Sequence, residues 1–398
     1  MKKNLPIKNS VLFTIFLSLF FTIGVHQFAF SQNWQLINPT YPTTDDIVAG
    51  YSVANFGATG DGVTDVTSIF QNQLNALGAI GGGTLWVPAG KYVINGNLTI
   101  PKGVTLRGDW QQPVPGQPIT GTILMAYAGR GDTTAAAFIT EQTACAVMDI
   151  AIWYPQQLPG SITPYPAAIL MGAPGFWGND FNNAKNITLV NAYDGIAISE
   201  LNGGGCPIMN GIYGTPLSTG IMIDNIADVG RLENIDFSPA YWEGSGLPNA
   251  PAVGSSVEGW IYQNGSGIVM RRDDWTYSSF ISVKGYKTGF EAAPSITTIG
   301  AIANGHNYGL TFTNCNNGIV LDGVNNVGIM FANVTMSNCV NGIIIGPGSS
   351  VTSTNGAAQF HTCTIAATSN AVYTDPASVA RLMMEHCTIT SGKVDIGG

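Results

Sequence analysis

Apolar residues come along this chain in short runs cut by Gly, Asn and Pro, the pattern of brief strands between tight turns. Two stretches break that pattern. The first is residues 11–23, an apolar run without charge that follows Lys2, Lys3 and Lys8 and precedes the small-x-small sequence Ala29-Phe30-Ser31. It is short for a membrane span of about 20 residues. It predicts an export signal over 1–31, cleaved near Ser31, and a Pro/Thr-rich linker over 32–50. The second has helical spacing. Ile69, Phe70, Leu74 and Leu77 share one face behind a cap at Thr64 or Asp65, and Gly81, Gly82 and Gly83 end it. Short β runs at 84–87, 92–94 and 104–106 follow, divided by Pro-Ala-Gly and Pro-Lys-Gly turns. One amphipathic helix ahead of short strands predicts a lid on the end of a strand stack.

The rest of the chain repeats itself. Cys315, Cys339, Cys363 and Cys387 recur every 24 residues, and Asn317-Gly318 returns as Asn341-Gly342 at the same interval. Gly195, Gly220, Gly267 and Gly289, each followed by Ile or Phe, carry the rhythm upstream, with one double-length step between Gly220 and Gly267. A period in the low twenties with β runs and Gly/Asn turns is that of a solenoid. The Leu-x-x-Leu-x-Leu signature of leucine-rich repeats is missing. The expected fold is therefore all-β, a stack of coils of about 22–26 residues.

Specific residues sharpen this. Phe56-Gly57-Ala58, Gly60-Asp61-Gly62, Asp65, the Gly81–Gly83 triplet, Pro88-Ala89-Gly90-Lys91-Tyr92 and Leu106-Arg107-Gly108 resemble the pectate-lyase-like family of right-handed parallel β-helices. That family contains rhamnogalacturonase-type and glucanase-type enzymes and some phage tailspikes. Val66 stands where the family usually has a second acid. The resemblance implies a single-stranded right-handed parallel β-helix over 51–398, with 51–108 as the N-terminal cap and first coils. It specifies fold rather than reaction, since enzymes and adhesins share the segment.

Cysteines in register would stack about 4.8 Å apart with parallel Cβ vectors, which suits a reduced, inward-facing ladder better than disulfides. Zinc-type Cys clustering is absent, so no metal site is expected from them. Asn314 and Asn338 fit beside the ladder as turn residues. Residues 393–398 end in coil rhythm with no capping element after Cys387, which predicts further chain or an oligomer partner on that end.

Composition narrows function. Hydrophobic residues make up 45% and charged residues 10%, with 50 glycines and net charge −9. Without the signal the chain carries 12 basic against 24 acidic residues, so a nucleic-acid footprint is absent. The sparse charge is concentrated around the double-length step. Asp224, Asp228, Arg231, Glu233 and Asp236 precede it, and Arg271, Arg272, Asp273, Asp274, Trp275 and Tyr277 follow it. If the step is one coil with an excursion over 237–266, Asp228 and Asp274 fall on adjacent coils, with Tyr241, Trp242, Trp260 and Tyr262 brought beside them as a groove wall. The resemblance places the groove here too, in the stretch from Gly214 through Asp228 and Asn234 to Trp242.

Paired carboxylates suit acid/base cleavage of a glycosidic bond, and flat aromatic faces suit sugar rings. The catalytic candidates are Asp228, Asp274, Glu233 and Asp236. The substrate-binding candidates are Trp242, Tyr241, Arg272, Trp275, Tyr277 and Trp260, with Glu200 at the groove edge. His306 is the one histidine with a catalytic or sugar-contact role. The Gly203–Gly205 turn after Glu200 lacks phosphate-loop spacing. The leading expectation is a secreted glycoside hydrolase acting on a polysaccharide, without a cofactor. The alternatives are a uronate lyase, with a basic residue and a bound Ca²⁺ neutralising the substrate, and a non-catalytic carbohydrate-binding or tailspike-like adhesin. Arg231, Arg271, Arg272, Lys284 and Lys287 keep the lyase open.

Overall fold

The structure, a computed structural model, describes residues 51–173, 179–198, 203–296, 302–325, 327–347, 357–378 and 380–397. The expected signal and linker, and Glu200, lie outside the described residues. From residue 51 the chain winds as a parallel β-helix in which every strand pairs in parallel with its counterpart on the next coil. Each coil contributes to three faces. The first runs from Gly83–Val87 through Val104–Gly108 to Arg381–Glu385. The second includes Gly90–Ile94, Thr122–Ala126 and Thr311–Thr313, and the third includes Ile139–Glu141, Ala167–Met171 and Thr219–Ile223.

In the middle coils one strand serves two faces by turning a corner. Asn183–Leu189, Ile208–Gly214, Arg231–Phe237 and Asp273–Lys284 each bend at a residue of positive φ: Asn186, Gly211, Asn234 and Phe280. Asn and Gly adopt this left-handed conformation at little cost, which is why they set the rhythm of the sequence. Side chains also link coils: Asn341 Nδ2 donates to Asn317 Oδ1 at 2.9 Å and Asn370 Nδ2 to Asn341 Oδ1 at 3.0 Å. Asn314 and Asn338 sit at the next corner, each with positive φ.

The capping helix spans Thr67–Ala79 and buries Phe70, Leu74 and Leu77 against the first coil. Its N-cap is Val66 rather than Thr64 or Asp65, but the Asp65 carboxylate still accepts the Thr67 backbone N–H at 3.0 Å. The exit uses its glycines. Gly82 has φ +124°, and a Cβ there would sit 2.5 Å from the Gly103 carbonyl oxygen.

The thiols are reduced, as expected, but they do not form one ladder. Cys315 follows Asn314 and lies beside Cys339 at the corner between the second and third faces. The register then places Cys339 beside Ala367, while Cys363 stacks with Cys387 at the corner between the first and second faces. The coil between carries extra residues, pairing Asn341 with Asn370 instead of stepping 24. Equal spacing in sequence therefore lands on a different corner. The final strand, Thr388–Ile396, is exposed throughout.

One core residue breaks the apolar rule. Glu141 is fully buried, and neither carboxylate oxygen has a hydrogen-bond partner in the structure. Burial pushes its pKa well above the ordinary 4.5. The folded protein thus holds a proton that the unfolded chain releases above that ordinary value, so stability is greatest below it and falls as pH rises toward the folded pKa. Glu141→Met removes this dependence and is expected to raise stability near neutrality by about 1–3 kcal/mol, read from urea unfolding at several pH values. An unchanged pH profile would show that Glu141 is solvated.

Candidate functional site

The first face carries the most developed cluster of polar and aromatic side chains. Outward positions repeat every second residue along a strand, so register decides which side chains meet across coils. Arg231 pairs with Tyr277 and Tyr277 with His306, on three successive coils. The Arg231 guanidinium lies 5.8 Å from the Tyr277 ring centre, and the His306 ring stands edge-on to Tyr277 at 5.5 Å. Trp275 completes the group. Its ring is 5.4 Å from His306, and its Nε1–H donates to the Tyr277 hydroxyl at 3.1 Å.

A β-bulge aims Trp275 outward. Asp273 pairs with Ala303 but Thr276 with Gly305, so Asp274 and Trp275 together oppose Asn304. Trp275 has φ +75°, rare for a bulky residue, and its N–H is held by Asn304 Oδ1 at 2.6 Å. Beneath it, buried Asp273 accepts the Thr276 hydroxyl at 2.7 Å. Burial pushes Asp273 up to about 7, against the lowering effect of those Thr276 bonds. Strain of this kind concentrates where a side chain must be presented. Trp275 and Tyr277 are 37% and 38% exposed, and Phe280 and Tyr308 extend the apolar surface along the face, 5.9 Å apart.

The predicted carboxylates are distributed around this cluster. Glu233 is on the first face, two residues along from Arg231, and Asn210 Nδ2 donates to it at 2.9 Å. Asp274 is ion-paired with Arg272 at 3.1 Å, and Arg272 also bonds Asn225. Asp228 is exposed, close enough to Cys206, with Asp180, to raise its thiol pKa after burial. Asp236 lies beyond the corner at Asn234, on the second face, where it accepts the Tyr241 hydroxyl at 2.7 Å. Glu233 and Asp236 therefore face different ways.

The excursion corrects the sequence reading. It leaves from the end of the second face, whereas Asp228 and Asp274 enter the first. It folds back along the earlier coils, where Gly116 N–H donates to Ala240 O at 2.9 Å and Ile119 N–H to Ser245 O at 3.0 Å. Trp242 is fully buried and Tyr241 nearly so, so they anchor the excursion rather than line a groove. Trp260 packs toward Tyr193 at 6.1 Å.

Under the excursion lies a cavity of about 520 Å³ that sequence reasoning missed. Glu243 and Glu258 meet there, from the helices Ala240–Glu243 and Ser256–Asn264. Burial pushes Glu243 up to about 7, reinforced by the neighbouring Glu258 and opposed by Lys284. Among the described residues, no group of three or more His, Cys, Asp or Glu side chains could hold a metal ion. No described helix is long and apolar enough to cross a membrane.

Residues 50–136 match the rhamnogalacturonase A/epimerase, pectate lyase-like family. The chain is a parallel β-helix whose N-terminal part matches that family. It is 38% identical over 91 residues to mannuronan C5-epimerase AlgE1 of Azotobacter vinelandii, covering 19% of this chain and 6% of that one. It is 32% identical over 83 residues to alginate lyase 7 of the same organism, covering 21% and 8%. The chain thus spans only a small part of the curated relatives it matches. The tailspike of Escherichia coli bacteriophage HK620, solved with a hexasaccharide, aligns over 87% of this chain and 66% of its own at 13% identity and TM-score 0.45. The matched segment holds the cap and first coils of the β-helix. The Arg231–Tyr277–His306 cluster lies outside it.

Proposed function

We propose that this is an exported polysaccharide-processing protein whose substrate lies across the first face, and that its reaction begins by removing the proton beside a uronate carboxylate. The observation that carries this reading is the contact of Arg231, Tyr277 and His306 on three successive coils, with Trp275 against them. Arg231 has no ion pair among the described residues, so its charge is available to a substrate carboxylate. Neutralising that carboxylate makes the hydrogen on the adjacent carbon, C5 of a hexuronate, acidic enough to transfer. Imidazole takes and returns a proton near neutral pH, which suits His306 as the base. The Tyr277 hydroxyl, accepting from Trp275, keeps its own proton to give.

Two outcomes share that first step. If the C4–O bond breaks as the C4=C5 bond forms, Tyr277 protonates the leaving oxygen and the chain is cleaved by elimination. If a proton returns to C5 from the opposite side, the sugar is epimerised. The epimerase and lyase names among the relatives support this chemistry, through matches that cover about a fifth of this chain.

A hydrolase is the second reading, favoured by the carboxylates that surround the cluster, Glu233 with its Asn210 partner foremost. Incubation with polyuronates and neutral polysaccharides separates the readings. The proposal expects new unsaturated-uronate absorbance or a changed C5 configuration. Reducing ends alone would favour hydrolysis, and binding without any product would favour an adhesin.

A further inference from the structure

The cavity under the excursion belongs to neither the first face nor the solenoid core. Its walls are Glu243 and Glu258 on the excursion helices, the Tyr262 ring, Lys284 and Gly285 at the end of the second face, and Asn314 on the next coil. Its volume of about 520 Å³ is within the usual range of small-molecule sites. Its polar groups are not used up within the protein. One Glu243 oxygen is buried without a hydrogen-bond partner, and Lys284 makes no ion pair among the described residues. Glu258 accepts the Gly254 N–H through one oxygen, leaving the other.

The charges balance. While Glu243 keeps its proton, the Glu243–Glu258 pair carries a single negative charge, and the Lys284 ammonium offsets it. Such a pair also offers a donor and acceptors side by side, which matches neighbouring hydroxyl groups on a ring. The phenol ring gives that ring a flat face to pack on.

We propose that this cavity is a second saccharide site, one that takes a neutral sugar unit, separate from the uronate surface on the first face. Glu243 faces Glu258, Lys284 and Tyr262. With Glu243 pushed up to about 7, its proton is lost above that pH, and the added charge then repels Glu258.

The test is calorimetric titration of the full chain with glucose, galactose, mannose and cellobiose, with galacturonate as the charged comparison. At least one neutral sugar is expected to bind near pH 6 and to weaken by up to about tenfold per pH unit above pH 7. Glu243→Gln should flatten that dependence. Gly259 lines the cavity and a Cβ there would have nothing within 4 Å, so Gly259→Trp brings a bulky ring to the cavity wall and should abolish binding. Arg231→Ala should leave it intact while removing polyuronate binding, which separates this site from the first-face reading. The proposal is overturned if no neutral sugar binds, or if binding survives Gly259→Trp.

Discussion

His306→Ala is expected to lower turnover of a polyuronate by about a hundredfold or more, the scale of a lost general base, with the unfolding midpoint little changed. Among the described residues the ring is held by edge contacts with Trp275 and Tyr277, so removing it leaves no buried polar group there unpaired. Arg231→Ala should act differently. It removes the charge that holds the substrate carboxylate, so KM should rise as well as kcat fall. Tyr277→Phe keeps the ring against Arg231 and His306 while removing the hydroxyl, and should slow proton return while leaving binding close to that of the unaltered chain. Full activity in His306→Ala would place the chemistry elsewhere, with Glu233 the next residue to replace.

The largest stability effect is expected at Trp242. Its side chain is fully buried where the excursion leaves the second face, and its backbone N–H is fixed by the Thr215 hydroxyl at 2.9 Å. Trp242→Ala should cost about 3–5 kcal/mol and free the excursion, seen as new proteolytic cleavage within 237–266. Trp242→Phe should cost much less, because the indole Nε1–H has no partner to lose among the described residues. Equal effects of the two substitutions would mean that the indole nitrogen bonds an ordered water.

Much of the fold was legible because its corners demand particular residues. Asn186, Gly211 and Asn234 adopt positive φ, and these residue types stand out in a sequence. Phe280 and Trp275 adopt it too, held by the coil around them, and nothing in their identity announces that. The double-length step gave away the excursion, but its direction depends on which corner it leaves, and that needs the register. The same ambiguity split the cysteines into two pairs once one coil lengthened.

The site divided in a similar way. Arg231, Tyr277, Trp275 and His306 were each visible as charged or aromatic residues in a sparsely charged chain, but their contact across three coils was not. Trp242 and Trp275 are the same residue type, and burial alone separates an anchor from a platform. Glu243 and Glu258 meet only because two short helices fold toward each other over Lys284.

The central claim, that the first face removes a proton from C5 of a uronate, is tested most directly by isotope exchange. A polyuronate is incubated with the protein in deuterated water and the recovered sugars are read by NMR. The account predicts loss of the C5 proton, replaced by deuterium after epimerisation or by a C4=C5 double bond after elimination, and no loss with His306→Ala. Shortened chains whose C5 protons are all retained would contradict it.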